Sequence, residues 1–489
     1  MSLLLFLSSG IFLGWSLGAN DAANIFGTAV GSRMISFRKA ATIASIFVIL
    51  GAIISGSGAA STLGKLGSVN ALAGAFMVAL AAGLTVYGMT RLKLPVSTSQ
   101  AIVGAIIGWN IYSGSLTNIN SLRDIVATWI LCPVLAGIFA IILYLFSRFI
   151  KTKVPMHMLY ADLFVRYSLI FAGAFGAYSL GANNIANVMG VFVPVSPFKP
   201  FSFDLISISS TQQLFFIGGC AIAVGIFTYS YKVIKTVGTS IIKLNPESAL
   251  IIVISSALVL FLFASEAFES ILLNAGLPSI PLVPVSSSQA VVGAIVGIGL
   301  VYGGRGMNFS VLGKIASGWI TTPIIAGLIS LVSLFFLQNV FLQKVFVADQ
   351  YKVTTAAYEK LEKSGYSTKL LLILSENSYT RAEDFNNLIK ENSSHDFNKR
   401  KLIIDTCRII KMKVNLKKII NEINSGWLTQ SQKIALSKLD GNSYIHLWKL
   451  HDDLIKGSAE WKLSPNIKLQ NRVILKKIDY LKRSFLLSN

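Results

Sequence analysis

Eight apolar stretches, near residues 3–20, 40–58, 71–90, 125–147, 163–182, 205–231, 249–273 and 315–343, constrain this chain more than any other feature. Each can cross about 30 Å of hydrocarbon as a helix of roughly 20 residues. Hydrocarbon offers no partner to backbone N–H and C=O groups, so each stretch must satisfy its own, which a helix does within one segment. Composition agrees: 53% of residues are hydrophobic and 13% charged, with a mean hydropathy of +0.64, too apolar for an ordinary soluble domain. The first basic residue is Arg33, so the apolar start lacks the charged leader of a cleavable signal peptide. It is expected to form the first helix of an integral, multi-pass protein of the cell (inner) membrane.

Charge divides the chain in two. Residues 1–340 hold 17 Lys or Arg and 7 Asp or Glu, whereas residues 341–489 hold 26 and 15. A net charge of +21 would suggest nucleic acid in a soluble chain, but these basic residues occupy short loops and the tail, where they act as topology signals and membrane-surface contacts. The lipid bilayer is the expected partner, and nucleic acid is not. In the tail, Leu402, Ile403, Ile409, Ile410, Leu416, Ile419, Ile420 and Ile423 recur with helical periodicity, with Pro465 the only proline. A soluble helical domain follows, with a coiled or membrane-lying helix as the lesser option. Its side of the membrane stays open, because lysines favour the cytoplasm and the number of crossings favours the outside. The three cysteines and four histidines show no metal-ligand spacing, so zinc sites and disulfide frameworks are not expected.

Two further apolar runs, Val96 to Asn110 and Val285 to Tyr302, follow prolines and reach only about 22 to 27 Å as straight helices. They are expected to be re-entrant or broken elements. They also expose an internal repeat. Leu94 to Trp109 reads LPVSTSQAIVGAIIGW and Val283 to Ile298 reads VPVSSSQAVVGAIVGI, with 11 of 16 positions identical. Ser16 to Gly27 reads SLGANDAANIFG and Ser179 to Gly190 reads SLGANNIANVMG, with 8 of 12 identical. Trp129 and Pro133 have counterparts in Trp319 and Pro323. Corresponding loops carry opposite charge biases: Arg33, Arg38 and Lys39 against Lys199; Lys65 against Lys232, Lys235 and Lys243; Arg91 and Lys93 against none; Arg123 against Arg305 and Lys314. Opposite bias in equivalent loops favours inverted copies, with the linker Arg148 to Arg166 cytoplasmic and the N-terminus outside. The expected architecture is an all-α integral membrane protein: transmembrane repeat 1 over 1–150, linker and transmembrane repeat 2 over 151–343, and a helical domain of unassigned role over 344–489.

Chemistry concentrates in the repeated blocks. Gly18, Ala19, Asn20, Asp21, Ala22, Ala23, Asn24 and the copy Gly181 to Asn187 combine small residues, which permit a helix break and close backbone approach, with amides that offer donors and acceptors at membrane depth. The plain alternative is a helix end capped by Asn with Asp reaching water. Asp21 stands apart from the other acidic residues before residue 341 (Asp124, Asp162, Asp204, Glu247, Glu266 and Glu269), which fall in loops or at segment ends. It is therefore the candidate for holding a hard cation or a proton. In the second block, Ser97 with Gln100 and Ser286 with Gln289 fit capping boxes. Capping is compatible with a stronger role, because a helix start presents unpaired N–H groups and a positive dipole end to an anion, and hydroxyls add donors there.

The motifs GANDAAN and GANNIAN with the paired PVSTSQ and PVSSSQ blocks resemble the inorganic phosphate transporter (PiT) family over about residues 1 to 343. That resemblance implies phosphate uptake by symport with a cation, Na+ or H+, through an inverted-repeat fold with two re-entrant helical hairpins. It implies alternating access around a midplane site and no cofactor beyond the coupling cation. It further implies a phosphate cradle of Ser97, Thr98, Ser99, Gln100, Ser286, Ser287, Ser288 and Gln289 with Asn24 and Asn187, and a cation site of Asp21, Asn20, Asn183 and Asn184, with Na+ at Asp21. One departure is Asn184, where the family commonly carries Asp, which leaves the driving ion and its stoichiometry open.

Sulfate or another tetrahedral oxyanion would use similar donors, although a protonated phosphate also needs an acceptor, which Asp21 or a Gln carbonyl offers. An enzyme is not expected, because no His or Cys lies near the motif blocks and no nucleotide-binding P-loop is present. A membrane phosphate sensor is a further alternative, with the basic tail contacting lipid, a partner or a second copy in a homodimer. Trp15, Trp109, Trp129 and Trp319 are expected to anchor or pack helices, Cys132 and Cys220 to act as small apolar core residues, and Glu266 and Glu269 to sit at a membrane boundary.

Overall fold

Long helices with large apolar side chains on one face and small ones on the other build most of the chain. The computed structural model describes residues 2–31, 34–92, 96–153, 157–199, 201–203, 206–231, 245–304, 307–419, 427–464 and 468–487. Arg33, Lys93, Leu94, Pro95, Asp204, Lys232, Lys235, Lys243, Arg305, Ile420, Ile423 and Pro465 lie outside them, so much of the loop-charge comparison does too. The first compact unit is formed by Met1–Tyr112, Thr117–Lys199 and Ser209–Phe346. Its helices are α1 (Ser2–Gly31), α2 (Phe37–Ser55), α3 (Ser57–Leu66), α4 (Leu72–Arg91), α5 (Thr98–Ser113), α6 (Ile119–Lys153), α7 (Met158–Met189), α8 (Ser210–Thr228), α9 (Pro246–Ala264), α10 (Glu266–Asn274), α11 (Ser287–Val301) and α12 (Phe309–Asn339).

Among the described residues, seven of these helices are long and apolar enough to cross a membrane. Their side-chain pattern is that of a membrane protein. On α6, Thr128, Cys132, Ala136 and Ala140 face inward, whereas Ile130, Leu131, Val134, Ile138 and Ile142 are exposed. On α12, Thr322, Ala326 and Ser330 face inward, and Ile320, Ile324, Leu328 and Val332 are exposed. Small residues at helix contacts with bulky apolar ones outside suit lipid, where association comes from close packing rather than from hiding apolar surface.

The two sequence copies pack reciprocally. A Cβ placed on Gly18 of α1 would lie 2.0 Å from the Ile222 carbonyl oxygen of α8, and one on Gly181 of α7 would lie 2.1 Å from that of Val48 on α2. Likewise a Cβ on Gly104 of α5 would lie 2.0 Å from the Pro323 oxygen of α12, and one on Gly293 of α11 would lie 2.1 Å from the Pro133 oxygen of α6. Each short helix therefore docks on the proline-bearing long helix of the other copy. These contacts allow no side chain on the glycine.

Several stretches are shorter or more broken than hydropathy implies. The 40–58 stretch ends at Ser55, turns at Gly56 and restarts as α3. The 249–273 stretch breaks at Ser265, whose hydroxyl caps α10 by accepting the N–H of Phe268 at 3.1 Å. The 205–231 stretch starts as a strand, Ile206–Ile208, paired antiparallel with Phe201–Phe203, before α8 begins in a complete capping box between Ser209 and Gln212. No break occurs in the Asn-rich motifs: α1 and α7 run as helix through both, with Gly18 and Gly181 serving helix packing instead.

The second unit comprises Val347–Asn489 with the short segments Ser113–Leu116 and Pro200–Ile208. It is mostly helical but not all-α. The tail residues that recur with helical periodicity span a helix, Phe397–Cys407, two strands, Arg408–Ile409 and Met412–Lys413, and a 3-10 turn at Leu416–Ile419. The strands pair with Gln350–Tyr351 and Ser443–Tyr444. Backbone pairing to those distant strands overrides the local helical period. Two cores result, one around Phe385, Leu371 and Ile403, the other around Trp461, Leu450 and Phe485.

Candidate functional site

The first turns of α5 and α11 meet. Ser99 Oγ donates to the Val285 carbonyl at 3.0 Å, and its sequence counterpart Ser288 Oγ donates to the Val96 carbonyl at 2.9 Å. Each helix start thus holds the backbone leading into the other. Ser97 accepts the N–H of Gln100 at 3.2 Å, and Ser286 accepts that of Gln289 at 3.2 Å. The expected capping boxes are only half formed, because Gln100 Oε1 and Gln289 Oε1 are buried with no partner among the described residues. The backbone entering α11 is held from outside instead: Asn183 Oδ1 accepts the Val285 N–H at 3.0 Å, and Asn183 Nδ2 donates to the Val283 carbonyl at 3.4 Å. Chain entry into α11 is set by these Asn183 bonds, which lie within the second copy, rather than by Gln289.

The motif helices α1 and α7 bring the remaining groups to the same place. Ser287 Oγ donates to Asp21 Oδ2 at 2.6 Å across 266 residues of chain. Asn20 Nδ2 donates to the other carboxylate oxygen at 2.8 Å. Asn24 Nδ2 approaches Ser287 Oγ at 3.4 Å. In the second copy, Asn187 Nδ2 donates to Ser99 Oγ at 2.8 Å and to Asn184 Oδ1 at 2.9 Å. Asp21 is buried with these two neutral donors and no cationic side chain among its interactions. A carboxylate so placed needs a cation or a proton from outside the chain, because an isolated buried charge is costly.

All fourteen residues expected at the site are therefore described, and thirteen are buried, Asn24 being partly exposed. The Asn183 amide makes its hydrogen bonds to the backbone entering α11. Thr98 Oγ1, Asn184 Nδ2 and Asn187 Oδ1 join the two glutamine oxygens as buried polar atoms without a partner among the described residues. Five such atoms on the first turns of α5 and α11 and the motif of α7 are unusual for a structural core. Two contributors were missed. Cys132, beside Pro133 on α6, directs its thiol to the Ser286 carbonyl at 3.6 Å, and nothing in its apolar surroundings marks it in the sequence. Ser256 of α9 lines a small cavity with Asn24 and Ser287, and a lone serine in an apolar helix carries no signal.

A sequence model described as the phosphate transporter family matches residues 17–330 and 279–410. This chain belongs to the phosphate transporter family. Among its relatives, a candidate phosphate permease of Methanocaldococcus jannaschii is 30% identical over 332 residues, covering 68% of this chain and 97% of that protein. One of Pyrococcus abyssi is 26% identical over 403 residues, covering 67% of this chain and 96% of that one. In fold, the family member resembles a solved structure titled the sodium-dependent phosphate transporter, with a TM-score of 0.54 and 22% identity, over 69% of this chain and 99% of the other. It is thus a multi-pass integral membrane protein of a transporter family.

Proposed function

We propose that this chain imports inorganic phosphate by symport with a cation, Na+ or H+, through alternating access around a site where α5 and α11 meet. The observation that carries this reading is the bond from Ser287 at the tip of α11 to Asp21 of the first copy. It couples a lone carboxylate to a helix start suited to an oxyanion. A cation at Asp21 would offset the charge of the incoming phosphate and favour the closed arrangement of both tips. In keeping with this, the named titles of relatives and of the structural neighbour refer to phosphate, and the neighbour's to sodium.

The reciprocal glycine contacts support a pseudo-twofold relation between the copies. Together with the opposite loop charges, they favour an inverted repeat with α5 and α11 as inner arms of re-entrant hairpins. With Asn184 standing where Asp21 stands in the first copy, one carboxylate serves the site, consistent with fewer coupled cations than a two-acid site would hold. Phosphate is favoured over sulfate because Gln100 Oε1, Gln289 Oε1 and Asn187 Oδ1 are acceptors awaiting a donor, and only a protonated oxyanion brings one. Asp21→Asn, reconstituted in vesicles, should remain folded and lose cation-driven phosphate accumulation. Wild-type accumulation by that variant would refute the role, and equal inhibition of labelled uptake by sulfate and phosphate would refute the preference.

A further inference from the structure

We propose that the outer faces of α7 and α9 hold one acyl chain of an anionic phospholipid, whose headgroup is bound by basic residues where α6 ends and α7 begins. Both helices are among those long and apolar enough to cross a membrane. A groove of about 600 Å³ opens between them, walled by Phe164, Tyr167, Phe171 and Phe175 of α7 and Ile254 of α9, with the smaller Ser168 between them. Clefts that bury small ligands fall in the same range, roughly 300–1,000 Å³, and are lined mainly by apolar and aromatic groups. From Phe164 to Phe175 the helix rises about 16 Å, close to half of the roughly 30 Å hydrocarbon core, so the groove matches the depth of one leaflet. The same helix face continues through Tyr160 to the exposed His157 at spacings of three and four residues. His157 Nδ1 accepts the Leu159 N–H at 3.4 Å, which leaves the proton of the neutral ring on Nε2 as a donor.

Aromatic walls alone would take any lipid tail, and charge at the end of the groove is what selects an anion. On α9, Glu247 lies two turns before Ile254, on the same face and about 10 Å along the axis. It is held there by Ser147 and Lys151 of α6. These bonds tie the end of α6 to the groove and neutralise Lys151. Arg148, one turn before Lys151, and Lys153 are exposed and have no acidic partner among the described residues. A lipid phosphate there would pair with them, as basic clusters flanking membrane helices do with anionic headgroups. A second copy suits the groove less well, because a twofold axis along the membrane normal would bring two such basic ends together.

This lipid site stands apart from the symport reading, and its test does not depend on transport. Thermal unfolding of the detergent-purified full chain is followed with added phosphatidylglycerol or phosphatidylcholine of the same acyl chains, beside mass spectrometry of the lipid that stays bound. In the wild type, phosphatidylglycerol should be retained and should half-saturate at a concentration roughly tenfold below that of phosphatidylcholine. Arg148→Gln with Lys153→Gln should erase that difference, whereas Lys417→Gln with Lys418→Gln, which removes two exposed charges from the tail, should keep it. Ser168→Trp, which fills the groove, should remove the retained phosphatidylglycerol and its advantage, and Ile320→Trp at an exposed position of α12 should leave both. The two controls separate an occupied site from a folding defect and from the general attraction of a basic protein for acidic lipid. Equal half-saturation by the two lipids in the wild type, or a Ser168→Trp response matching the wild type, overturns the proposal. So does a lipid-independent dimer that Ser168→Trp dissociates, which would assign the groove to a second copy.

Discussion

Ser99 and Ser288 hold the two helix starts together through one hydroxyl each, and a hydrogen bond of this kind contributes about 1 kcal/mol net, more when its loss strands a buried carbonyl. Replacing either by Ala should lower stability by roughly 1–2 kcal/mol, and thermal unfolding of the purified protein would show it. The two changes should cost about the same, because the Ser99 hydroxyl also receives the Asn187 amide and the Ser288 hydroxyl also bonds to that of Ser286. In the second unit, His446 is fully buried, with Nδ1 bonded to the Arg408 carbonyl at 2.9 Å and Nε2 to the Thr354 hydroxyl at 2.7 Å. A carbonyl can only accept, so the ring donates from Nδ1 and accepts at Nε2. Burial, with help from nearby Lys449, holds its pKa below the ordinary 6.5. The unfolded chain therefore binds a proton more readily, and the stability His446 confers is present above pH of about 6.5 and lost as pH falls below it. The unfolding midpoint of the tail should drop between pH 7 and 5, and His446→Gln should flatten that dependence. Which residues the fold gathers was legible in the repeated blocks: Asp21, the asparagines and the Ser-Gln blocks stand out as polar groups in apolar chain, and hydrogen bonds bring them together. Which atoms meet was not, because the Ser287–Asp21 bond joins one copy's tip to the other's motif, and spacing along the chain carries no record of that.

Each short helix is seated by a glycine pressed on a proline-bearing helix. Gly104→Ala and Gly293→Ala would place a methyl within about 2 Å of a backbone oxygen, and neither partner is a side chain that can turn away. Overpacking of this sort costs about 1–3 kcal/mol or more. Gly88→Ala, with nothing within 4 Å, is the matched control and should be neutral or mildly stabilising. Thermal unfolding and the yield of monodisperse protein would separate the three. Hydropathy located the uninterrupted helices but not their ends, since α6 runs Ile119–Lys153 where the apolar stretch covers 125–147 and α12 runs Phe309–Asn339 where it covers 315–343. It failed where a polar cap interrupts an apolar run. At Ser265 the serine hydroxyl starts a new helix with Glu266 and Glu269 in its first turn, and at Gly56 a bend costs too little hydropathy to notice. A window average smooths over both.

At the level of the whole chain, two copies of one unit exchange contacts to form the membrane body, and the tail folds around its own two cores. Within the tail, the ion pair of Arg408 with Asp349 at 2.7 Å and that of Lys360 with Asp452 at 2.8 Å fix strand and helix pairings that short strands alone would hold weakly. The tail's helical period was visible in the sequence, but its strands were not, since pairing partners lie some 30 to 60 residues apart along the chain. Removing residues 350–489 should leave phosphate uptake by the membrane body measurable, with any change confined to its regulation, whereas complete loss in a folded, membrane-inserted truncation would make the tail part of the transport machinery. The most direct measurement is accumulation of labelled phosphate in sealed vesicles carrying the purified protein, with inward sodium and proton gradients imposed separately and collapsed in turn. A symporter built around Asp21 should concentrate phosphate above the outside level under at least one gradient and stop when it is collapsed. Phosphate that merely equilibrates at the same rate with every gradient, or with none, would contradict it.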